Sequence, residues 1–300
     1  MTKSETTEKP TYPKVSFEFF PPKNEAQTAM LDEAATRLAR FKPHYVSVTY
    51  GAGGSSQERS RGAVLQMIDM GLTTAAHVTC AGASRESLAD TIDWFKGIGI
   101  DRFVALRGDP PGGMSEAYRP HPSGFADTAD LVRALKQRGA AEVSVSAYPE
   151  RHPQSRDWEA DIDTLKRKVD AGADRAITQF FYDNDLYEAY VERVRAAGIE
   201  VPIVPGIMPI HRFSAVKHFA ASCGATIPEV LARRFEGLDP DSDAHREAGS
   251  AVAAEQIADL IRRGVQVFHL YTLNRSEPTK SVCQSLGLGD ADDDEAAHAA

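Results

Sequence analysis

The strongest constraint on this chain is a repeated order of segments. A short β-rich run is followed by a longer charged run at helical spacing, and a glycine often precedes the next β-rich run. The β-rich runs fall at 15–20, 45–49, 75–80, 103–107, 143–147, 176–180, 203–207 and 265–271. Val, Ile, Phe, Tyr and Thr dominate them, and turn residues bound them. Helical runs fall at 25–41, 57–70, 85–97, 128–138, 157–171, 183–197, 212–222, 243–263 and 276–286. Gly71, Gly99, Gly139, Gly172, Gly198 and Gly264 stand where a helix stops and a strand is due. Such alternation requires right-handed crossovers between parallel strands. Eight units between residues 14 and 288 are the arithmetic of a single (β/α)8 barrel, of the α/β class. A doubly wound sheet is the alternative. It usually brings a glycine fingerprint, and GAGGSS at 51–56 does not satisfy G-x-G-x-x-G.

Composition narrows the function. The chain has 300 residues, 42% hydrophobic and 26% charged, enough to bury a large core. Its net charge of −9 and its lack of any run of five basic residues argue against nucleic acid as a partner. Cys80, Cys223 and Cys283 are three isolated cysteines, which excludes a disulfide scaffold and suits a reducing cytoplasm. No apolar run approaches a membrane span of about 18 residues. Residues 1–13 read as a flexible polar tail and 289–300 as an acidic one, leaving the barrel to 14–288.

In a barrel, function gathers at the C-terminal ends of the strands. Glu18 sits there in Val-Ser-Phe-Glu-Phe-Phe, with Ser16, Glu18 and Phe20 on one face. A carboxyl among aromatics should have a raised pKa, which suits a general acid. The plainer reading pairs Glu18 with an Arg or Lys inside the barrel. Arg107-Gly108-Asp109 either lets a ligand approach the backbone closely or forms a simple turn. His77 reads first as a satisfied core histidine, and His152 as a loop histidine between two prolines. Asp161, Arg167 and Lys168 face either an anionic ligand or solvent. His211 and His218 suggest no third metal ligand, and no metal is expected. Strand 6 ends in Gln179, where a Schiff-base enzyme would need lysine. Walker A and G-x-S-x-G motifs are absent.

Nine spaced motifs carry a specific resemblance over roughly residues 14–288. They are VSFEFFPPK at 15–23, YVSVTYGAG at 45–53, HVTC at 77–80, VALRGD at 104–109, AYPE at 147–150, LKRKVDAGA at 165–173, ITQFF at 177–181, PGIMP at 205–209 and YTLNR at 271–275. In these the chain resembles the bacterial methylenetetrahydrofolate reductases. The resemblance implies FAD on a (β/α)8 barrel, NADH or NADPH as electron donor, and two substrates taking turns in one cleft. The reaction would convert 5,10-methylenetetrahydrofolate to 5-methyltetrahydrofolate, with either physiological direction open.

Site roles follow by the same resemblance. Glu18 matches the general acid, assisting protonation at folate N10. Asp109 matches the acidic residue near flavin and pterin, so both count as catalytic and folate-binding. Thr49, His77, Arg107 and Gly108 match flavin-contact positions. So do Tyr148, His152, Asp161, Arg167 and Lys168, and Thr164 stands on the same helix where relatives carry an amide. Gln179, Phe219 and Arg275 match substrate-side positions. Ala215 replaces a glutamine that some relatives direct at the substrate. The loop 110–124 is longer than in compact relatives, and Asp127 stands where an aromatic is common. Family habit implies a homo-oligomer with small-molecule partners and no regulation by S-adenosylmethionine. A flavin-free folate methyl-transfer barrel, or a folate-binding subunit, is the alternative.

Overall fold

Alternation within each strand decides which side chains meet the helices and which face the barrel axis. The computed structural model describes residues 13–50, 54–109, 116 and 118–289. Its first half runs β1 (Lys14–Phe19), α1 (Glu25–Ala39), β2 (Tyr45–Val48), α2 (Gly54–Asp69), β3 (Thr74–Thr79), α3 (Arg85–Gly97), β4 (Arg102–Leu106) and α4 (Thr128–Gln137). Then follow β5 (Glu142–Ala147), α5 (Trp158–Asp170), β6 (Arg175–Thr178), α6 (Asn184–Ala196), β7 (Ile203–Val204) and β8 (Gly206–Ile207). The last elements are α7 (Phe213–Cys223), α8 (Glu229–Arg233), α9 (Asp243–Arg262), β9 (Val267–Tyr271) and α10 (Ser276–Ser285). All pairings are parallel, in the order β7-β6-β5-β4-β3-β2-β1-β9-β8. This is the expected α/β barrel.

One expected strand, 203–207, is divided. Pro205 has no N–H to give a ladder. Its carbonyl instead accepts from the His269 N–H at 3.0 Å. β7 pairs with β6 and β8 pairs with β9, so this segment bridges the two ends of the sheet. The short helix α8 had no counterpart in the sequence reading. The motif residues 51–53, the loop residues 110–115 and 117, and the tails at 1–12 and 290–300 lie outside the described residues.

The outward face of the strands is apolar. Phe17, Phe19, Val46, Val48, Ala76 and Val78 are buried against helix residues such as Leu31, Leu38, Met67, Ile92 and Phe95. Full burial of each large side chain contributes about 1.5–3 kcal/mol. The inward face is mixed: Ser16, Ser47, His77, Thr79, Ser144 and His269 are buried there, beside a small apolar cluster of Tyr45, Ala75 and Val104. Helix starts are fixed by side-chain caps, in which Asn24, Ser84, Asp127, Asp157 and Ser242 each accept a backbone N–H. The six glycines expected at helix stops all adopt positive φ, between 74° and 110°.

Gly206 lies where the ring closes most tightly. A Cβ there would stand 2.2 Å from the Thr178 carbonyl oxygen and 2.6 Å from Cε2 of Tyr271. The Tyr271 hydroxyl donates to that same carbonyl at 2.7 Å. Gly206→Ala should therefore destabilise the fold by about 3 kcal/mol, seen as a fall of several degrees in Tm. An unchanged Tm would mean that the backbone yields there at no cost.

Candidate active site

The C-terminal ends of β4, β5 and β6 open into a cleft of about 610 Å³. Arg107, Gly108 and Asp109 enter it after β4, and Tyr148 and His152 after β5. Helix α5 contributes Asp161, Thr164, Arg167 and Lys168. Gln179 follows β6, and Phe219 reaches over from α7. Eleven of the residues expected from the sequence are thus brought to one cavity. Glu18, Thr49, His77 and Arg275 are not in its lining. Glu18 and His77 face each other inside the barrel. Thr49 ends the β2 segment, where its carbonyl accepts from the Ser60 hydroxyl at 3.0 Å. Arg275 is exposed at the start of α10.

Cations crowd one wall. Lys168 is only 6% exposed. Its Nζ donates to the Ser146 carbonyl at 2.8 Å and to its hydroxyl at 3.3 Å. Burial is the main cause that pushes its pKa down to about 8; Asp161 partly offsets this, and Arg167 and Arg107 add to the fall. The neighbouring Asp161 is equally buried. It accepts from the His152 N–H at 3.1 Å and the Ser155 hydroxyl at 2.6 Å, which fixes the loop after β5. Burial, helped by Arg107 and Lys168, lowers His152 to about 4, so that ring is neutral. Arg107 lies 5.0 Å over the Tyr118 ring and donates to Gln154 Oε1 at 2.7 Å. Gly108 has φ +79°, and a Cβ there would meet Ala81 Cβ at 2.9 Å. Only glycine allows the backbone this course into the cleft.

Arg167 is engaged on its own surface, by Asp127 and by Asp163 at 3.2 Å. Asp127, where an aromatic is common in relatives, is the N-cap of α4 as well as the partner of Arg167. The Thr164 hydroxyl turns back onto its helix, donating to the Ala160 carbonyl at 2.8 Å and receiving from Arg167 at 3.3 Å. Gln179 Oε1 accepts the Phe180 N–H at 3.0 Å. Phe219 is 44% exposed and stacks on Phe180 with centroids 5.4 Å apart, forming the lip of the cleft.

Glu18 differs from expectation. Alternation does place Ser16 and Glu18 inward, but Phe17 and Phe19 point outward into the helix layer. The carboxylate therefore meets histidines, not aromatics or an Arg or Lys. His77 Nε2 and His269 Nε2 each lie 3.4 Å from Glu18 Oε2. Burial raises the Glu18 pKa, yet the hydrogen bond to His269 and the charges of His77 and His269 lower it by more. The net shift is downward, the reverse of the expected rise. His77 is itself held to about 4, chiefly by burial, although Glu18 opposes this. Its charge therefore exists only in acid, which leaves the His269 contact to oppose burial at neutral pH.

His269 escaped the sequence reading. It is fully buried two residues before Tyr271, on the same inward face of β9. Strand period alone could have found it. The turn after β9 holds β1 in place. The Thr272 hydroxyl donates to the Glu18 carbonyl at 2.6 Å. Asn274 Oδ1 accepts the Phe20 N–H at 3.0 Å, and its Nδ2 donates to the Phe20 carbonyl at 2.8 Å. Leu273 and Asn274 both take left-handed φ, 49° and 54°. For a residue such as Leu that costs roughly 1–2 kcal/mol.

An α/β barrel with a polar cleft and a buried carboxylate at the strand ends defines an enzyme of the barrel class. The family model for methylenetetrahydrofolate reductase matches residues 3–287. The 5,10-methylenetetrahydrofolate reductases of Salmonella typhimurium and Escherichia coli are each 42% identical over 277 residues, covering 91% of this chain and 90% of theirs. Methylenetetrahydrofolate reductase (NADH) 1 of Arabidopsis thaliana is 34% identical over 287 residues, 92% of this chain and 48% of its own. The fold resembles a Clostridium thermocellum protein described as binding two copies of 5-methyl-5,6,7,8-tetrahydrofolic acid. That match has a TM-score of 0.59 at 13% identity and covers 92% of this chain and 95% of that one. The chain belongs to the methylenetetrahydrofolate reductase family and is an enzyme of that family.

The His77 environment has a consequence in acid. The unfolded chain takes up a proton near the ordinary 6.5, which the folded chain refuses until about 4. Stability should therefore fall as pH drops across that window, by up to about 3 kcal/mol from this group. His77→Gln should flatten this part of the curve of Tm against pH. Parallel curves for the two proteins would rule the account out.

Proposed function

We propose that the chain reduces 5,10-methylenetetrahydrofolate to 5-methyltetrahydrofolate, with FAD in the cleft and NADH or NADPH as donor. One observation carries this reading: a cation-lined cleft and a separate carboxylate, Glu18, occupy the same end of one barrel. Tyr271 connects them, standing within electrostatic reach of both Glu18 and Tyr148. The chemistry named for the Arabidopsis and Clostridium proteins supports the donor and the folate.

The residues present suit a dinucleotide. Lys168 and Arg107 supply buried or half-buried cations, apt for a pyrophosphate. Gly108 brings backbone close, and the buried Thr79 hydroxyl has no partner among the described residues. We assign Arg107, Gly108, Tyr148, His152 and Lys168 to direct contact, with Thr49 and His77 beside them. Asp161, Thr164 and Arg167 shape that wall. When bound, FAD supplies the hydride acceptor and donor.

The chain's own groups do the rest. Asp109 places a negative charge beside the reacting rings. Gln179 offers an amide, and Phe219 an aromatic face to whichever substrate is present. Arg275 suits the anionic end of a folate. Glu18 holds a proton and delivers it to N10. Its carboxyl is lowered in the open site, where its side chain is 21% exposed. A substrate ring covering that part removes water, which favours the protonated carboxyl.

Glu18→Gln tests the assignment. The visible flavin bands should remain and bleach with NADH under anaerobic conditions. Their return on adding methylenetetrahydrofolate should slow by about 10²–10⁴-fold. A colourless protein that does not take up FAD would overturn the flavin reading, and an unimpaired Glu18→Gln would remove Glu18 as the acid.

Lys168 gives a second test. An anionic ligand prefers the charged amine, and the lysine loses its proton near pH 8. FAD affinity of the apoprotein should thus be greatest below that pH and fall as pH rises through it. Lys168→Met should bind FAD about tenfold more weakly or worse, without that pH dependence. Titration of apoprotein with FAD by fluorescence checks both.

A further inference from the structure

The Glu18 carboxylate and the His269 ring form a unit with Ser16, and its hydrogens can be counted. Ser16 Oγ lies 2.8 Å from His269 Nδ1 and 3.2 Å from the Phe268 carbonyl oxygen. The hydroxyl has one hydrogen. If it donates to the carbonyl, Nδ1 must carry its own hydrogen and donate to Oγ. His269 Nε2 then turns a lone pair toward Glu18 Oε2, 3.4 Å away. Two acceptors cannot face each other there without a proton between them.

We propose that Glu18 and His269 share one proton at neutral pH, and that Ser16 and His269 are positioning residues that keep Glu18 loaded. This rests on the reading of Glu18 as proton donor. In the open site the proton resides on the ring, giving an imidazolium beside a carboxylate. When a substrate dries the site, the neutral pair is favoured, because a buried ion pair loses its solvation. The proton moves to Oε2, where it is aimed at the substrate. Transfer breaks the Oε2–H bond, forms an N–H bond at the substrate amine and leaves the pair with a net charge of −1. Solvent reaching the partly exposed Glu18 restores the proton.

No neighbour competes for it among the described residues. The groups facing the pair are His77 on β3, Tyr45 on β2 and Tyr271 on β9. Arg175 of β6 lies behind, over the Tyr45 ring at 5.7 Å. His77 is neutral above about 4, and burial raises both tyrosines, so each keeps its proton. His269 is wholly buried and its ring is wedged between Tyr45, at 6.1 Å, and Tyr271, at 5.3 Å. It has little freedom to turn away.

The test uses the flavin-loaded protein with ¹⁵N-labelled histidine. The His269 ring signals are identified by their loss in His269→Gln. In the wild type both ring nitrogens should carry hydrogen at pH 7. In Glu18→Gln the ring should become neutral, with the hydrogen on Nδ1. In Ser16→Ala that tautomer should no longer be fixed. A wild-type ring that is neutral with hydrogen on Nε2 alone would overturn the proposal.

Kinetics provide the second arm. His269→Gln should keep its flavin and its reduction by NADH, while folate-driven reoxidation slows about ten- to hundredfold and its pH dependence shifts. Ser16→Ala, which removes less volume, should shift the same pH profile. Unshifted profiles in both variants would also overturn the proposal. If Glu18→Gln reoxidises with folate at full rate, the reading of Glu18 as the acid fails, and the ring spectra still decide whether the proton is shared.

Discussion

Closure of the ring is the constraint on which the rest of this structure depends. β9 pairs with β1 over five rungs and with β8 over two. Without that pairing the first and last strands would present open edges. More importantly, the barrel interior holds many polar groups, which are costly to bury unless bonded. Bonds from Ser16 to His269 and from Tyr271 to the Thr178 carbonyl cross from one strand to another. They exist only in the closed ring. Most of the apolar burial lies outside it, between strands and helices.

The two halves of the site handle charge in opposite ways. In the cleft, burial and mutual repulsion hold Lys168 and His152 below their ordinary values. A bound anion relieves the repulsion, so the wall is better satisfied when occupied than when open. Around Glu18 the balance favours the anion, because neighbouring histidines outweigh dehydration. A carboxyl built this way stays charged while water reaches it and gains affinity for a proton when covered. Lining the cavity with phenylalanine, as the local sequence first suggests, would have raised its pKa instead.

Much of this was legible in the sequence. The strand–helix order, the glycine stops and the inward facing of Glu18 follow from local periodicity, which needs no partner strand. The cleft residues around Arg107 were found at the strand ends, whereas Lys168, on its helix, was left between ligand and solvent until the resemblance placed it at the flavin. What failed was the environment of Glu18. Adjacent residues in a strand point to opposite faces, so Phe17 and Phe19 say nothing about what Glu18 meets. Its neighbours come from β3 and β9, 59 and 251 residues away. Such contacts are set by barrel registers. The split at Pro205 and the short helix α8 were missed for a related reason: a strand this short is defined by its pairing more than by its composition.

The clamp of Asn274 and Thr272 on the end of β1 has a further consequence in time. Glu18 is translated 251 residues before His269, with Thr272 and Asn274 later still. For most of synthesis the carboxylate has no histidine from β9 beside it and no clamp on its carbonyl. The surroundings of Glu18 are thus completed by the same late strand that closes the ring. Closing of the ring and assembly of the Glu18 surroundings are therefore one event.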